Sequence, residues 1–465
     1  MYLVLGLGLI ALTPPFQSPD AFGHFDRAIG LSEGKIDNTV VHGVPGDPFT
    51  IGLIEMETMF STLPWGKRVT ANKFDYTYSW QKTWNMPSYF TNFEYGGNYP
   101  LLYVPQTLGV VVGRMVSNHL LVAYYLAEIF NLLAFVGLTR WAFARFPKRI
   151  ALPMGIFLIL PTVNSLSISV NPDNLLLALS VVFAAAVYCS NCEVHDRESP
   201  PPLVLGRASR AAHGRARPNL YYQIGFVSLL LMALEKPPFL LLGLLLPLAD
   251  LHSNLRRYIR RAVVFMVSAG VVYELWAKFG AGSQGKPVPQ PWIMPLHQLK
   301  LVLTNPAHDV NVLVQTWQHY GLWYVKEFVA GISWLDTWFP KWFYILVYFV
   351  LLLAVLYSVV AGRREKLRTL WSLFVVALAA GALITTFYLL DTSYASNVIT
   401  GFQGRYLLPL LPVLLVVLSP EPTRWPRFRP IGALVQEYAS FALIGLQLWI
   451  FTSFVLTLLR RYWGW

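Results

Sequence analysis

The chain is predicted to be an all-α, polytopic integral membrane protein, and two observations lead to this fold class. Only 13% of the 465 residues are charged and the mean hydropathy is +0.47, whereas soluble domains carry about 25% charged residues. Continuous apolar runs long enough to cross a bilayer also recur along the whole chain. Because these runs do not alternate apolar with polar residues, they indicate helices and not the strands of a β-barrel.

Basic residues set the expected orientation of the helices. Of the 36 Lys and Arg residues, 20 fall in five short segments between apolar runs. Cytoplasmic loops of membrane proteins are enriched in Lys and Arg, so this placement accounts for the net charge of +12 without a nucleic-acid partner. The five segments predicted to be cytoplasmic are 140–149, 197–217, 256–261, 363–368 and 424–429.

Roughly eleven transmembrane helices follow in a single domain over 1–465, with the N-terminus inside. The first, near 1–14, is short for a bilayer, and Arg460-Arg461 after the last fits this topology poorly because it would lie outside. The other predicted spans are 119–140, 150–170, 174–190, a hairpin of two short helices over 223–251, 262–282, 341–361, 370–390, 405–420 and 437–459.

This topology leaves two large extracytoplasmic loops, 15–118 and 284–340, and a smaller third one, 391–404. In the first, the apolar stretch 101–116 is predicted to be an interfacial helix, because a further crossing would break the charge pattern. The segment 199–218, rich in Pro and Arg, is predicted to be a flexible cytoplasmic loop.

The stretch after the first span holds the most conspicuous polar residues. Ser18 is predicted to be an N-cap and Pro19 the first residue of a helix, which would place Asp20, His24 and Arg27 on one face. A carboxylate there could act as a general base or an ion ligand; the alternative is an acid stabilised by the helix dipole. Asp26 points elsewhere and is predicted to be structural.

Two cationic residues are placed where phosphate groups could be held. Lys236 sits in Glu235-Lys236-Pro237-Pro238 at the turn of the predicted hairpin, and an intramembrane lysine is usually functional; the alternative is snorkelling to the interface. Arg405 follows Gly401 and Gly404 where the third outer loop re-enters the membrane. Arginine can grip phosphate oxygens bidentately while glycines let backbone amides approach; the alternative is an interfacial anchor.

Asp173 is a weaker candidate. Asn171-Pro172-Asp173-Asn174 forms a tight outer turn that needs no function, but it adds a second outer acid. The many tryptophans of the outer loops could stack on sugar rings or belong to the aromatic belt of the membrane interface, and their density within the loops favours a saccharide surface.

No cofactor is predicted. Cys189 and Cys192 form a single CxxC beside a basic segment, which is too few ligands for a structural zinc site, and a divalent metal is not indicated elsewhere. P-loop, dinucleotide-binding, HExxH and GxSxG motifs are also missing from the sequence. Energy for a reaction would therefore come from an activated substrate or from an ion gradient.

A short first span with an acidic first outer loop resembles the GT-C glycosyltransferase superfamily. More specifically, four segments resemble the bacterial domain-of-unknown-function 2142 membrane family, and Asn171-Pro172-Asp173 and Lys236-Pro237-Pro238 fall where similar elements occur. The four segments are Pro14-Pro15-Phe16-Gln17-Ser18-Pro19-Asp20 with His24 and Arg27; Tyr99-Pro100 through Gln106 with Gly109, Gly113 and Arg114; Ser333-Trp334-Leu335-Asp336-Thr337 with Pro340; and Gln403-Gly404-Arg405-Tyr406 through Pro412.

The resemblance implies a bacterial inner-membrane enzyme that takes a sugar from a polyprenyl-phosphate donor. Transfer to a cell-surface glycan or a lipid-linked acceptor would occur on the periplasmic side, with inversion and with Asp20 as general base. A second acid often follows this Asp in the family, but here the residue is Ala21. The residue patterns and the resemblance together predict that His24, Arg27, Tyr99, Asp173, Lys236, Trp334, Asp336, Gln403, Arg405 and Tyr406 bind substrate.

Two alternative functions stay open at this point. An O-antigen polymerase or ligase would use a large late outer loop, where His308 and His319 are the candidates. A transporter or flippase for lipid-linked sugars would favour internal repeats and polar residues at mid-membrane. The sequence has no evident repeat, and its polar residues cluster toward one face.

Overall fold

The computed structural model is predominantly helical, as the sequence predicts, with a few short strands. It describes the chain apart from residues 38, 43, 67–69, 93–97, 199–217, 249–253, 280–290, 361, 364–365, 420 and 423–428. Nearly all of the predicted cytoplasmic loop 199–218, the start of the second outer loop and most of the basic segment 424–429 therefore lie outside the described residues.

The N-terminal part alternates short helices with a small sheet. The first outer loop is thus a folded layer and not an extended connection. Its elements are α1 (Tyr2–Leu12), α2 (Ala21–Ser32), β1 (Thr39–Val41), β2 (Val44–Thr50), α3 (Ile51–Phe60), α4 (Lys73–Trp80), β3 (Ser88–Asn92), a 3-10 turn (Pro100–Tyr103) and α5 (Val104–Val116).

Longer helices dominate the rest of the chain. They are α6 (Leu120–Phe143), α7 (Lys148–Leu158), α8 (Pro161–Ser167), α9 (Asp173–Glu198), α10 (Pro218–Glu235), a 3-10 segment (Pro237–Leu245), α11 (Leu255–Phe279), α12 (Pro295–Thr304), α13 (Pro306–Ala330), α14 (Lys341–Val360), β4 (Gly362–Arg363), α15 (Lys366–Leu390), a 3-10 turn (Gly404–Leu407), α16 (Leu410–Leu418), β5 (Glu421–Pro422), α17 (Arg429–Leu458) and a π-helical turn (Leu459–Trp463).

The small sheet was not expected in an all-α protein. β1, β2 and β3 pair antiparallel in that order, with Gly46 opposite Asn92 and Thr50 opposite Ser88. The segment Val44–Thr50 contains Pro45 and Pro48 and lacks regular alternation, so it gives no strand pattern in the sequence. The close pairing nevertheless depends on Gly46, where a Cβ would lie 2.2 Å from the carbonyl oxygen of Thr91.

The number of long apolar helices is smaller than the predicted eleven. Within the described residues, four helices are long and apolar enough to cross a membrane, or five if the bent pair α7 and α8 counts as one span. The four are Leu120–Phe143, Asp173–Ser190, Lys366–Leu390 and Phe441–Trp463. Three further apolar helices are shorter within the described residues: Tyr2–Leu12, Leu220–Glu235 and Lys341–Tyr357.

The helix α9 lies at the centre of the core. It packs against α6, α10 and α16, and 78% of its apolar window is buried inside the protein. The amide of Asp173 donates to the side chain of Asn171 at 2.6 Å, which caps the start of this helix. The turn predicted at 171–174 is thereby confirmed, and it fixes Asp173, which is itself buried, at the N-terminal end of α9.

Close packing of α5 on α6 determines how the first loop meets the core. At Gly109 and Gly113, a Cβ would lie 2.5 Å and 2.4 Å from the Cα atoms of Ala127 and Ala123. Two glycines four residues apart therefore let the two backbones touch, as small residues do in membrane helix pairs. With 13 residues, α5 covers roughly 20 Å, too short for a bilayer core of about 30 Å.

The C-terminal segment lies on the same face as the first outer loop. Arg461 Nη2 donates to the carbonyl of Leu63 at 2.6 Å, and the amide of Ala71 donates to the carbonyl of Tyr462. Trp463 Nε1 donates to the carbonyl of Leu12 at 2.9 Å. The basic pair that fits the charge rule poorly is thus accounted for by contacts to the loop itself.

Candidate functional site

Asp20 occupies the entrance to α2 and not its first turn. The helix begins at Ala21, Asp20 is the N-cap in the left-handed conformation (φ 61°), and its side chain makes no capping hydrogen bond. The predicted cap at Ser18 with Pro19 as first helical residue is therefore wrong. A left-handed residue cannot lie within a helix, and aspartate tolerates this conformation better than most residues. Asp20 consequently does not share a helical face with His24 and Arg27.

The carboxylate of Asp20, which makes no capping hydrogen bond, lies close to Arg405 instead. Arg405 Nη2 lies 3.8 Å from Asp20 Oδ2, and Arg405 Nη1 lies 3.9 Å from Asp173 Oδ2. Asp173 also forms an ion pair with Lys236. Four charged residues from separate parts of the sequence thus form one charged cluster, defined here as Asp20, Asp173, Lys236 and Arg405.

Each member of the charged cluster lies at a break in regular structure. Asp173 opens α9, where the helix dipole favours a negative charge. Lys236 stands between α10 and the 3-10 segment Pro237–Leu245, because Pro237 cannot continue the helix. Arg405 belongs to a 3-10 turn that follows the third outer loop. Helix ends and breaks leave long side chains room to converge, so the cluster lies where helices meet the segments that connect them.

Gln403 and Tyr406 contact the cations of the charged cluster. Arg405 Nε donates to Gln403 Oε1 at 2.6 Å. The ring of Tyr406 lies below both cations, 4.5 Å from Lys236 Nζ and 5.2 Å from Arg405 Cζ, and it stacks on Phe387 at 5.0 Å. These contacts hold both positive charges over one aromatic face.

Glu327 is a residue of this site that the sequence analysis missed. Its carboxylate accepts the amide of Gly404 at 2.6 Å and also interacts electrostatically with Arg405. Burial raises the pKa of Glu327. A Cβ at Gly404 would lie 2.0 Å from the carbonyl oxygen of Tyr324. The glycine therefore serves close packing on α13, and its amide is taken by Glu327 and not available to a ligand. The three-residue spacing of Tyr324 and Glu327 on one helix face is the signal that could have indicated this contact.

His24 adjoins the charged cluster as a neutral group. Its Nδ1 forms a hydrogen bond with Tyr103 Oη at 2.7 Å, and Asn98 Nδ2 donates to the same hydroxyl at 2.8 Å. Burial lowers the pKa of His24 to about 3, while Asp173 raises it and both Arg405 and Lys236 lower it further. At neutral pH the ring is uncharged and adds no positive charge to the cluster.

Arg27 and Tyr99 lie outside the contacts of the charged cluster. Arg27 Nη2 donates to the carbonyls of Ile36 and Asn98, each at 2.9 Å, so the guanidinium fastens the loop after α2. Tyr99 packs edge-on against Trp276 at 5.1 Å. Arg27 therefore holds a loop and does not share a face with Asp20, and the contact of Tyr99, a predicted substrate-binding residue, is with Trp276.

Trp334 and Asp336 contact residues outside the charged cluster. Trp334 Nε1 donates to the carbonyl of Phe16 at 2.8 Å, and its ring lies 5.6 Å from that of Phe22. Asp336 is paired with Arg461 at 2.8 Å and is buried. Trp334 therefore borders the segment that carries Asp20, whereas Asp336 ties the second outer loop to the C-terminus.

Within the charged cluster, the side chain of Arg405 is the most buried and that of Asp20 is the most exposed. The side chain of Arg405 is 3% exposed, whereas that of Asp20 is 43% exposed. In the described part of the chain, Arg405 Nη1 is buried without a hydrogen-bond partner, because Asp173 is beyond hydrogen-bond distance of it. A buried guanidinium N–H that lacks an acceptor is uncommon and invites an anionic ligand.

The histidines of the second outer loop are not part of this arrangement. His308 Nε2 is hydrogen-bonded to Tyr388 Oη at 3.1 Å, and His319 packs edge-on against Tyr320. Among the residues that the structure describes, no three His, Cys, Asp or Glu side chains are grouped so that they could hold a metal ion.

Comparison with known proteins gives one result. No curated protein and no solved structure matches the chain. The family model described as "Predicted membrane protein (DUF2142)" matches residues 3–414, a stretch that contains the whole charged cluster and nearly all the apolar helices described above. The chain therefore belongs to the DUF2142 family of membrane proteins.

Proposed function

We propose that the protein is an inverting membrane glycosyltransferase of GT-C type that uses a polyprenyl-phosphate sugar as donor. The acceptor would be a cell-surface glycan or a lipid-linked saccharide. The observation that carries this proposal is the buried Nη1 of Arg405, which has no hydrogen-bond partner within the ranges that the structure describes. A lipid phosphate would supply the missing acceptor oxygen, and its negative charge would be favoured by Arg405 and Lys236 together.

The charge distribution supports a division of labour. Lys236 and Arg405 would neutralise the leaving phosphate, which makes prenyl phosphate a better leaving group. Asp20, the most exposed member of the charged cluster, would accept the proton of the incoming hydroxyl. Attack from the open side on a carbon whose phosphate is held on the buried side inverts the configuration. Burial lowers the pKa of His24 to about 3, which makes its imidazole a weak base. Asp20, at the open edge, is therefore the better candidate for the base.

The proposal includes the topology that the apolar runs and basic segments of the sequence predict. Eleven crossings are obtained if α1, α10, α11, α14, α16 and the 3-10 segment Pro237–Leu245 also lie within the bilayer beside the longer helices. The first outer loop and the charged cluster would then face the periplasm of a bacterial inner membrane.

Replacement of Asp20 tests the proposed base. Asp20→Asn keeps the size of the side chain but cannot accept a proton, so transfer should fall about a hundredfold or more. Purified protein in nanodiscs would first be analysed by mass spectrometry for co-purifying polyprenyl-phosphate sugar, and that donor would then be used in a transfer assay.

The matched control is Glu33→Gln, which changes an exposed carboxylate at the C-terminal end of α2 in the same way. It should keep wild-type transfer, and both variants should keep the wild-type unfolding temperature. Transfer by Asp20→Asn at the wild-type rate would remove Asp20 as the base. Absence of any polyprenyl-phosphate sugar, together with no transfer from such donors by wild-type protein, would remove the proposed activity.

A further inference from the structure

An exposed pair of tryptophans borders the segment that carries Asp20. The ring of Trp65 is 5.4 Å from that of Trp334 in an edge-on arrangement, and Trp65 is 67% exposed. We call Trp65 and Trp334 the indole pair. Trp334 belongs to the second outer loop and Trp65 to the first, so the pair forms where the two loops meet.

The indole pair is held by polar contacts from several directions. The amide of Trp65 donates to Asp336 Oδ2 at 2.8 Å, and the same carboxylate oxygen is paired with Arg461. Trp334 is fixed through its Nε1 to the carbonyl of Phe16. Trp65 has the left-handed backbone (φ 54°), which is costly for a bulky residue. Both the strained backbone and the ion pair of Asp336 with Arg461 keep Trp65 exposed, which suits a residue that binds a ligand. A tryptophan of the aromatic belt at the membrane interface needs neither feature.

The position of the indole pair relates it to the proposed base. Trp334 packs on Phe22, which lies two residues after Asp20. Asp20 is the exposed end of the charged cluster, and Arg405 is the buried end. Contacts of Trp334 with Phe16 and Phe22 therefore place the indole pair beside the segment that carries Asp20, and no hydrogen bond, ion pair or ring contact joins the pair to Lys236 or Arg405 among the described residues.

We propose that the indole pair binds a sugar ring of the acceptor and directs one of its hydroxyl groups toward Asp20. This inference rests on the proposed function. The C–H face of a pyranose is apolar and broad, so an exposed indole offers it a matching surface. The indole pair itself carries no charged group, hence the ligand class is a neutral hexopyranoside; the phosphate of the donor is left to Lys236 and Arg405.

Saturation-transfer NMR on the full chain in nanodiscs tests this binding, with methyl hexopyranosides of glucose, galactose and mannose as probes. We expect saturation of the ring C–H protons of at least one glycoside by the wild type. Trp65→Ala should weaken that binding about tenfold, as truncation of an aromatic anchor commonly does. Trp65→Phe should retain most of it. Trp65→Asn, which suits a left-handed backbone, should behave like Trp65→Ala.

Trp292→Ala is the matched control, because Trp292 is a similarly exposed tryptophan of the second outer loop. It should leave the NMR signal unchanged. Equal signals, or none, from wild type and Trp65→Ala with every glycoside would overturn the inference and assign Trp65 to the membrane interface.

The transfer assay separates this inference from the proposed function. Trp65→Ala should raise the KM for the acceptor about tenfold and leave the KM for the donor unchanged. Asp20→Asn should leave glycoside binding unchanged. Loss of binding in Trp65→Ala with full transfer by Asp20→Asn would retain the sugar site and reject the base. An unchanged acceptor KM in Trp65→Ala would reject the sugar site alone.

Discussion

At the scale of single residues, Asp173 stands between two cations that would otherwise repel each other. It pairs with Lys236 and lies 3.9 Å from Arg405. Both cations are largely withdrawn from water, and a buried charge that loses its counter-ion is strongly destabilising. Asp173 therefore acts on the site through Lys236 and Arg405 and is a positioning residue.

Asp173→Asn is expected to destabilise the protein by about 3 kcal/mol, because it removes the carboxylate that pairs with Lys236 and lies close to the buried Arg405. Thermal unfolding in detergent would measure the loss. Added polyprenyl phosphate should restore part of the unfolding temperature, since a phosphate supplies the missing negative charge. Asp173→Glu, which keeps the charge, is the control and should lose much less; equal losses in the two variants would contradict the electrostatic role.

Gly404 is a second residue whose identity the geometry fixes. Gly404→Ala would press a methyl group against the carbonyl of Tyr324, so the turn must move away from α13. We expect a loss of about 2 kcal/mol, as for other overpacked sites, and slower transfer because Arg405 moves with the turn. Gly381→Ala is the control, since nothing lies within 4 Å of its Cβ, and differential scanning fluorimetry should find it unchanged or slightly stabilised.

At the scale of elements, the sequence predicts the apolar helices well and the folded outer loop poorly. Continuous runs such as Leu120–Phe143 leave little choice of structure. The strand Val44–Thr50, by contrast, is specified by its pairing with Ser88–Asn92, a partner some forty residues away. No local pattern encodes such a partner.

The same distinction applies to the site. Asp20, Lys236 and Arg405 could be selected because a charge beside an apolar run is costly and therefore conspicuous. Glu327 was missed, because it lies in a helix of mixed polarity, where a carboxylate is not conspicuous, and its hydrogen bond is to the backbone amide of Gly404. The left-handed backbone of Asp20 was also missed, since Ser18-Pro19 is a better cap by composition alone.

An acid pair links α2 with α3 and makes their packing dependent on pH. Asp26 and Glu57 are buried and interact with each other, and burial raises the pKa of both carboxyl groups. This agrees with the structural role predicted for Asp26. Because the folded state favours the protonated forms, their contribution to stability is full below the ordinary pKa of about 4 and is lost as the pH rises.

Asp26→Asn should therefore flatten the pH dependence of the unfolding temperature. The variant should gain stability relative to the wild type between pH 5 and about 8. Over this range the unfolded wild type releases protons from both carboxyl groups, whereas the folded wild type must keep them protonated or bury a charge. Unfolding would be followed in buffers across that range. Glu33→Gln is the control: although partial burial would raise it, Lys35 and Arg114 hold the pKa of Glu33 below its ordinary value, so this exposed acid stays charged across the range and its variant should run parallel to the wild type. A parallel curve for Asp26→Asn would refute the assignment.

At the scale of the whole molecule, the contacts of the C-terminal segment make a topological prediction. Arg461, Tyr462 and Trp463 bind the backbone around Leu12, Leu63 and Ala71. The segment after α17 must therefore lie on the same side of the membrane as the first outer loop, although its arginines would favour the cytoplasm.

Cysteine labelling tests this prediction in a chain whose own two cysteines are replaced by serine. Lys73→Cys and Trp465→Cys, both at exposed positions, should react with a membrane-impermeant maleimide from the same side of sealed vesicles. Arg256→Cys, in a segment predicted to be cytoplasmic, should react from the opposite side. Labelling of Lys73→Cys and Trp465→Cys from opposite sides would be incompatible with the fold.

The contact between the two chain ends also has a consequence for biosynthesis. A chain enters the membrane from its N-terminus, so the segment around Asp20 is translocated long before Arg461 and Trp463 are translated. Until then Leu63, Ala71 and Asp336 lack the groups that hold them. The support of the indole pair, in which Arg461 holds the carboxylate that binds the amide of Trp65, is thus completed only at the end of translation.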